Sequence, residues 1–94
     1  MVNLMDRQET INHIEDCLNG RISADELSKW YFPIFKSQPL GTPEVEYRIY
    51  SALFLDLDEY LPPALLHLKT EYDIDENELR KRLVEHVSRL KALG

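Results

Sequence analysis

The stretch IDENELRKRLVEHVSRL, residues 74–90, decides the fold. Asp75 takes the N-cap place and Glu78, three residues on, closes a capping box. Two backbone N–H groups that a helix start would leave orphaned then both find acceptors. Ile74 and Leu79 stand where a hydrophobic staple needs them. Leu79, Leu83, Val87 and Leu90 recur at spacings of four, four and three, which is one face of a helix. Arg89 and Lys91 lie at its far end, where positive charge complements the negative end of the helix dipole. Every local signal agrees on an amphipathic helix.

The rest of the chain reads the same way. Ile11, Ile14, Cys17 and Leu18 share one helical face, and Gly20 after Asn19 is a usual stop because glycine enters the left-handed region without a clash. Ser23 with Glu26 makes a second capping box, and Leu27, Trp30, Tyr31 and Ile34 supply the stripe behind it. Pro33 lacks a backbone donor, so a kink or stop is expected near Phe32, whose ring is expected on a different, exposed face. Thr42-Pro43-Glu44 starts a third helix, with a threonine cap, proline in the first turn and Val45, Ile49, Leu53 and Phe54 as its stripe. Pro62-Pro63 forces a boundary, and residues 64–69 suit a short further helix. Residues 37–41 form the one linker-like piece. No window alternates apolar and polar residues long enough for a strand. The fold class is therefore all-α, a small antiparallel four- to five-helix bundle in one domain over residues 1–94.

The chain has 94 residues, 44% hydrophobic and 30% charged, enough to bury a modest core. Its formal net charge of -6 repels nucleic acid and anionic lipid and favours basic partners. One cysteine, Cys17, cannot close an internal disulfide and suits a reducing cytosol. The first residues, MVNLMDRQE, contain no apolar run of signal-peptide length, and no later run could span a bilayer. A cytoplasmic protein with no membrane role is expected.

Metal and catalytic chemistry are poorly served. A calcium loop begun at Asp73 places Asp75 and Asn77 well but then needs glycine and a closing glutamate where Glu78 and Val84 stand. His13, His67 and His86 are scattered, and a lone cysteine anchors no zinc site; each histidine is expected at the surface or half-buried, without special duty. There is no glycine-rich phosphate loop and no evident nucleophile with an orienting base. No metal, no cofactor and no enzymatic activity are expected. Arg80, Lys81, Arg82, Arg89 and Lys91 lie behind an acidic knot, which argues against a nucleic-acid reader.

What remains is the uneven charge. Residues 56–78 hold eight acids (Asp56, Asp58, Glu59, Glu71, Asp73, Asp75, Glu76, Glu78) against one base, Lys69. Capping explains Asp75 and Glu78 but not the surplus. If the turns before the last two helices meet at one end of the bundle, both clusters form one negative surface that steers a basic protein.

The segment Tyr72-Asp73-Ile74-Asp75-Glu76-Asn77-Glu78-Leu79, leading into a basic amphipathic helix, resembles the end of the colicin D immunity family. Gly20-Arg21-Ile22-Ser23-Ala24-Asp25-Glu26-Leu27-Ser28 resembles its second-helix start, and related helical proteins are immunity partners of contact-dependent growth inhibition toxins. The resemblance covers roughly residues 10–31 and 70–92. It implies a small acidic helical inhibitor that plugs the active site of a ribonuclease cutting tRNA, with carboxylates where tRNA phosphates would lie. Tyr72, Asp73, Asp75, Glu76 and Asn77 are the matched positions, whereas Glu78 stands where a small residue is expected. Asp56, Asp58, Glu59 and Glu71 join the expected toxin-binding set from the charge argument. The expected partner is a cognate basic nuclease toxin, bound one to one by a monomer or weak dimer. The alternative is a helical adaptor binding through an apolar groove or a homodimer face.

Overall fold

A computed structural model describes residues 6–37, 43–71 and 73–93. In chain order it contains α1 (Arg7–Leu18), α2 (Ala24–Lys36), α3 (Glu44–Glu59), a 3-10 segment (Pro63–Leu68) and α4 (Glu76–Ala92). Among the described residues extended backbone pairs only at an isolated bridge between Tyr60 and Ile74. The all-α class therefore holds, with four α-helices and the expected further helix reduced to a 3-10 segment. α4 packs on α1 and α3, and α2 packs on α3 and α1, so the helices close a square in chain order.

Local chemistry sets most of the boundaries. Asp6 Oδ1 accepts the Glu9 N–H at 2.9 Å and opens α1, and Gly20 at φ 77° ends the turn behind it. Ser23 and Glu26 form both halves of their capping box, at 3.0 and 3.2 Å. α2 does not stop at Phe32 but runs through Pro33 to Lys36. Tertiary contact outweighs the missing donor: Phe32 and Phe35 lie 5.0 and 4.9 Å from Phe54, ring centre to ring centre. Phe32 is thus half-buried against α3 rather than exposed. Trp30 is half-buried and lies flat on His13, 3.7 Å between ring centres.

Pro43 rather than a first-turn position is where the proline falls: it is the N-cap of α3 and makes no side-chain cap bond. Thr42, the expected cap, and residues 38–41 of the expected linker lie outside the described residues; Ser37 caps the end of α2. Val45 is 63% exposed and leaves the α3 stripe to Ile49, Tyr50, Leu53 and Leu57. At α4 the capping box is half made. Asp75 Oδ1 accepts the Glu78 N–H at 2.9 Å, but the Glu78 carboxylate accepts from Arg82 Nε at 3.1 Å. A Glu–Arg pair four residues apart is favourable in this order along a helix and competes for the same carboxylate.

The core takes Ile11 and Ile14 from α1, Leu27 and Tyr31 from α2, and the Leu79, Leu83, Val87 and Leu90 stripe from α4 against the α3 face. Cys17 and Leu18 pack at its edge, half-buried, and burial pushes the Cys17 thiol up from its ordinary value. A polar tie joins α2 to α3 in this interior: the Tyr31 hydroxyl donates to the Tyr50 carbonyl at 2.7 Å. Burial also holds the Tyr31 pKa far above its ordinary value, so the phenol stays a donor at any working pH. Tyr31→Phe keeps the ring and removes that bond, and should lower stability by about 1 kcal/mol. In thermal unfolding this reads as a drop of about 4–8 °C; an unchanged melting temperature would show the bond to be worth nothing net.

Candidate functional site

The chain leaves α3 at Glu59 and re-enters the bundle at Asp75, and two backbone bonds pin these ends together. Leu61 N–H donates to the Ile74 carbonyl at 2.9 Å, and Ile74 N–H to the Glu59 carbonyl at 3.0 Å. Ile74 is buried, 6% exposed, and anchors the bridge in the core. The two acidic clusters, separate in sequence, therefore share one end of the bundle. Asp58 and Glu59 end α3 on one side of the bridge, and Asp73 and Asp75 flank Ile74 on the other.

Inside that end lies a charged knot. Asp56 is only 8% exposed. Its Oδ1 accepts from Arg82 Nη1 at 2.8 Å and its Oδ2 from His86 Nε2 at 2.5 Å. Burial alone would raise the Asp56 pKa, but the hydrogen bonds from His86 and Arg82 and their charge outweigh it and leave the carboxyl below its ordinary value. Arg82 also meets Glu78 at 3.1 Å and Glu59 at 4.0 Å. Bonds to Asp56 and then Glu78 lift its pKa further, so it stays charged.

This corrects two expectations. Asp56 was expected among the outward acids, and instead it faces inward and ties α3 to α4. His86 was expected at the surface or half-buried, without duty, and instead it is buried, 4% exposed. The signal for His86 was present: it stands three residues after Leu83 and four before Leu90, on the apolar stripe itself. The pairing with Asp56 resembles the base-and-orienter half of a hydrolytic site. Yet the other ring nitrogen, Nδ1, is buried without a partner among the described residues, so the pair addresses no nucleophile there.

The remaining acids lie outside the knot. Asp58, Glu71, Glu76 and Asn77 are exposed, and Glu59, Asp73, Asp75 and Glu78 are half-buried. Glu71, Asp73, Asp75, Asn77 and Glu78 line one open recess of about 520 Å³, which Lys69, Lys81 and Arg82 share. The Asp73 carboxylate accepts from the Thr70 N–H at 2.9 Å and the Thr70 hydroxyl at 3.0 Å, which holds its pKa down. Glu76 faces another way: with Cys17, Ile22, Tyr60 and Arg80 it borders a recess of about 410 Å³ between α4 and the α1–α2 turn. Arg80 closes that side by donating to the Leu18 carbonyl at 2.7 Å. Tyr72 lies outside the described residues. The structure thus brings Asp58, Glu59, Glu71, Asp73, Asp75 and Asn77 to one end, sets Glu76 around the corner, and withdraws Asp56.

Such an end can accept hydrogen bonds from arginines and lysines of a partner, since exposed carboxylates are ionised at neutral pH. Among the described residues no group of three or more histidine, cysteine or acidic side chains is placed to hold a metal. Among those residues, too, no helix is long and apolar enough to cross a membrane.

A family model described as bacterial self-protective colicin-like immunity matches residues 5–90. No curated protein and no solved structure matches the chain. With nearly the whole chain covered by that model, the protein belongs to the colicin-like bacterial immunity family and is a toxin-neutralising immunity protein.

Proposed function

We propose that the acidic end covers the basic active site of a nuclease toxin, an RNase of the colicin D or contact-dependent inhibition kind that cuts tRNA. On this reading residues 1–94 act as one domain in the cytosol of the producing cell. They bind the toxin one to one and perform no chemistry of their own. The observation that carries the reading is the Tyr60–Ile74 bridge, which sets Asp58 and Glu59 beside Asp73 and Asp75. A nuclease site is lined with cations that hold phosphates, and a compact group of carboxylates competes for the same cations. Asp58, Glu59, Glu71, Asp73, Asp75 and Asn77 supply the contact, with Glu76 at its margin; Tyr72 joins the set on the sequence resemblance alone. Asp56 acts behind them, as a positioning residue that fixes Arg82 against Glu59 and Glu78.

Salt tests this directly. The association rate of the protein with a toxin against which it protects growing cells should fall steeply between about 50 and 500 mM salt, because a Debye length of about 10 Å at 0.1 M shrinks toward 3 Å at 1 M. A rate that hardly responds to salt would sink the acidic plug. It would favour the second reading, an adaptor that grips its partner in the apolar recess of about 390 Å³ between Val45, Ile49, Ala92 and Leu93.

A further inference from the structure

Residues 61–73 leave the bundle and return through the bridge, so they form a closed surface loop whose ends are pinned at 2.9 and 3.0 Å. Compact loops of this length with adjoining ends are frequent carriers of function. What this loop displays is unexpected on an acidic face. Its 3-10 segment turns Leu65 and Leu68 to solvent, 42% and 59% exposed. Ala64 and His67 beside them are exposed as well. Leu55, 51% exposed, stands three and four residues before Asp58 and Glu59 on α3, one face of the helix.

Single exposed leucines need no explanation. Leu65 and Leu68 stand three residues apart, on one side of the 3-10 turn, and the pinned loop that carries them is preceded by Asp58 and Glu59 and closed by Lys69, Glu71 and Asp73. A protein interface combines the same two ingredients, apolar residues at the middle and polar ones around.

We propose that Leu65 and Leu68 are apolar anchors that enter a socket on the toxin, while the flanking carboxylates engage its cations. The inference rests on the reading given under Proposed function and adds the partner's chemistry: a basic surface that carries an apolar depression. Charge selects this occupant over a second copy of the chain. A two-fold dimer is self-complementary, so pairing this loop with itself would set Asp58, Glu59, Glu71 and Asp73 against their own copies. A basic surface meets the same acids with opposite charge.

Anchors and rim leave different kinetic marks. Rim charges act chiefly on the association rate and its salt dependence, and buried anchors act on dissociation. The test uses the full chain and the nuclease domain of a toxin against which the chain protects growing cells. Leu65→Ser and Leu68→Ser should each raise the dissociation rate about tenfold, with association and its salt slope within about twofold of wild type. Leu65→Met and Leu68→Met, which keep the apolar bulk, should restore slow dissociation. Both positions are exposed, so melting temperatures of all variants should stay near wild type. A double serine variant that dissociates as slowly as the wild type overturns the anchors while leaving the acidic plug standing. A wild-type chain that fails to bind the toxin overturns both. A wild-type dimer that the serine changes convert to monomer assigns the loop to a second copy and overturns the proposal.

Discussion

Asp56→Asn should lower the melting temperature by about 10–15 °C, whereas Asp58→Asn, two residues along the same helix, should leave it within about 2 °C. The difference lies in where the carboxylates point. Asp58 is exposed, and Asp56 is 8% exposed and holds Arg82 and His86. Removing one partner of a buried pair leaves the other charge uncompensated, at a typical cost of about 3–5 kcal/mol. The Arg82 side chain is 35% exposed, so water screens part of that loss. A cost of about 2 kcal/mol follows, which sets the expected shift.

The acid limb checks the sign. The folded pKa of Asp56 lies below its unfolded value, because the hydrogen bonds and charges of His86 and Arg82 prevail over burial. Its contribution is therefore fully present above pH about 4 and is lost as pH falls through the folded value. The Asn variant, already without that contribution, should show a flatter decline in stability below pH about 4. Equal slopes for the two proteins would mean that Asp56 gains nothing from its partners.

The second large effect is on binding. Asp58→Lys combined with Glu71→Lys should slow association with the toxin about tenfold to a hundredfold at low salt, within the range electrostatic steering commonly spans. Both side chains are exposed, so stability should hardly move. The loss should shrink as salt rises, and growth protection in cells making the toxin should weaken in step. A double variant that associates as fast as wild type at low salt would remove this pair from the approach path. Glu76→Lys offers a directional control, because Glu76 borders the recess toward Cys17 and Tyr60 rather than the one holding Glu71. Its effect should be the smaller.

What the sequence discloses and what it hides divide along the reach of the interactions. The cap at Asp75, the box at Ser23 and the α4 stripe each depend on residues within four positions, so pattern alone exposes them. Pro33 misleads because a missing donor is local while the Phe35–Phe54 packing that overrides it joins α2 to α3. Glu78 misleads differently, since the box and the pair with Arg82 are both local and the sequence does not rank them. Asp56 was hidden altogether. It lies 30 residues from His86, and charge counting treats every acid in a cluster as alike. Charge and resemblance could point to a candidate end, but only the packed bundle separates the acid that builds it from those that face outward.

The bridge has a consequence for how such a protein can change. Tyr60 and Ile74 close the loop on itself, and the register of α3 and α4 is set by Asp56, Arg82, His86 and the buried leucines, none of which lies within it. Lengthening a closed surface loop costs little, about 0.6 kcal/mol for each doubling. Residues 61–73 thus behave as an exchangeable cassette on an independent chassis. A lineage can lengthen or exchange this loop without re-solving the problem of folding.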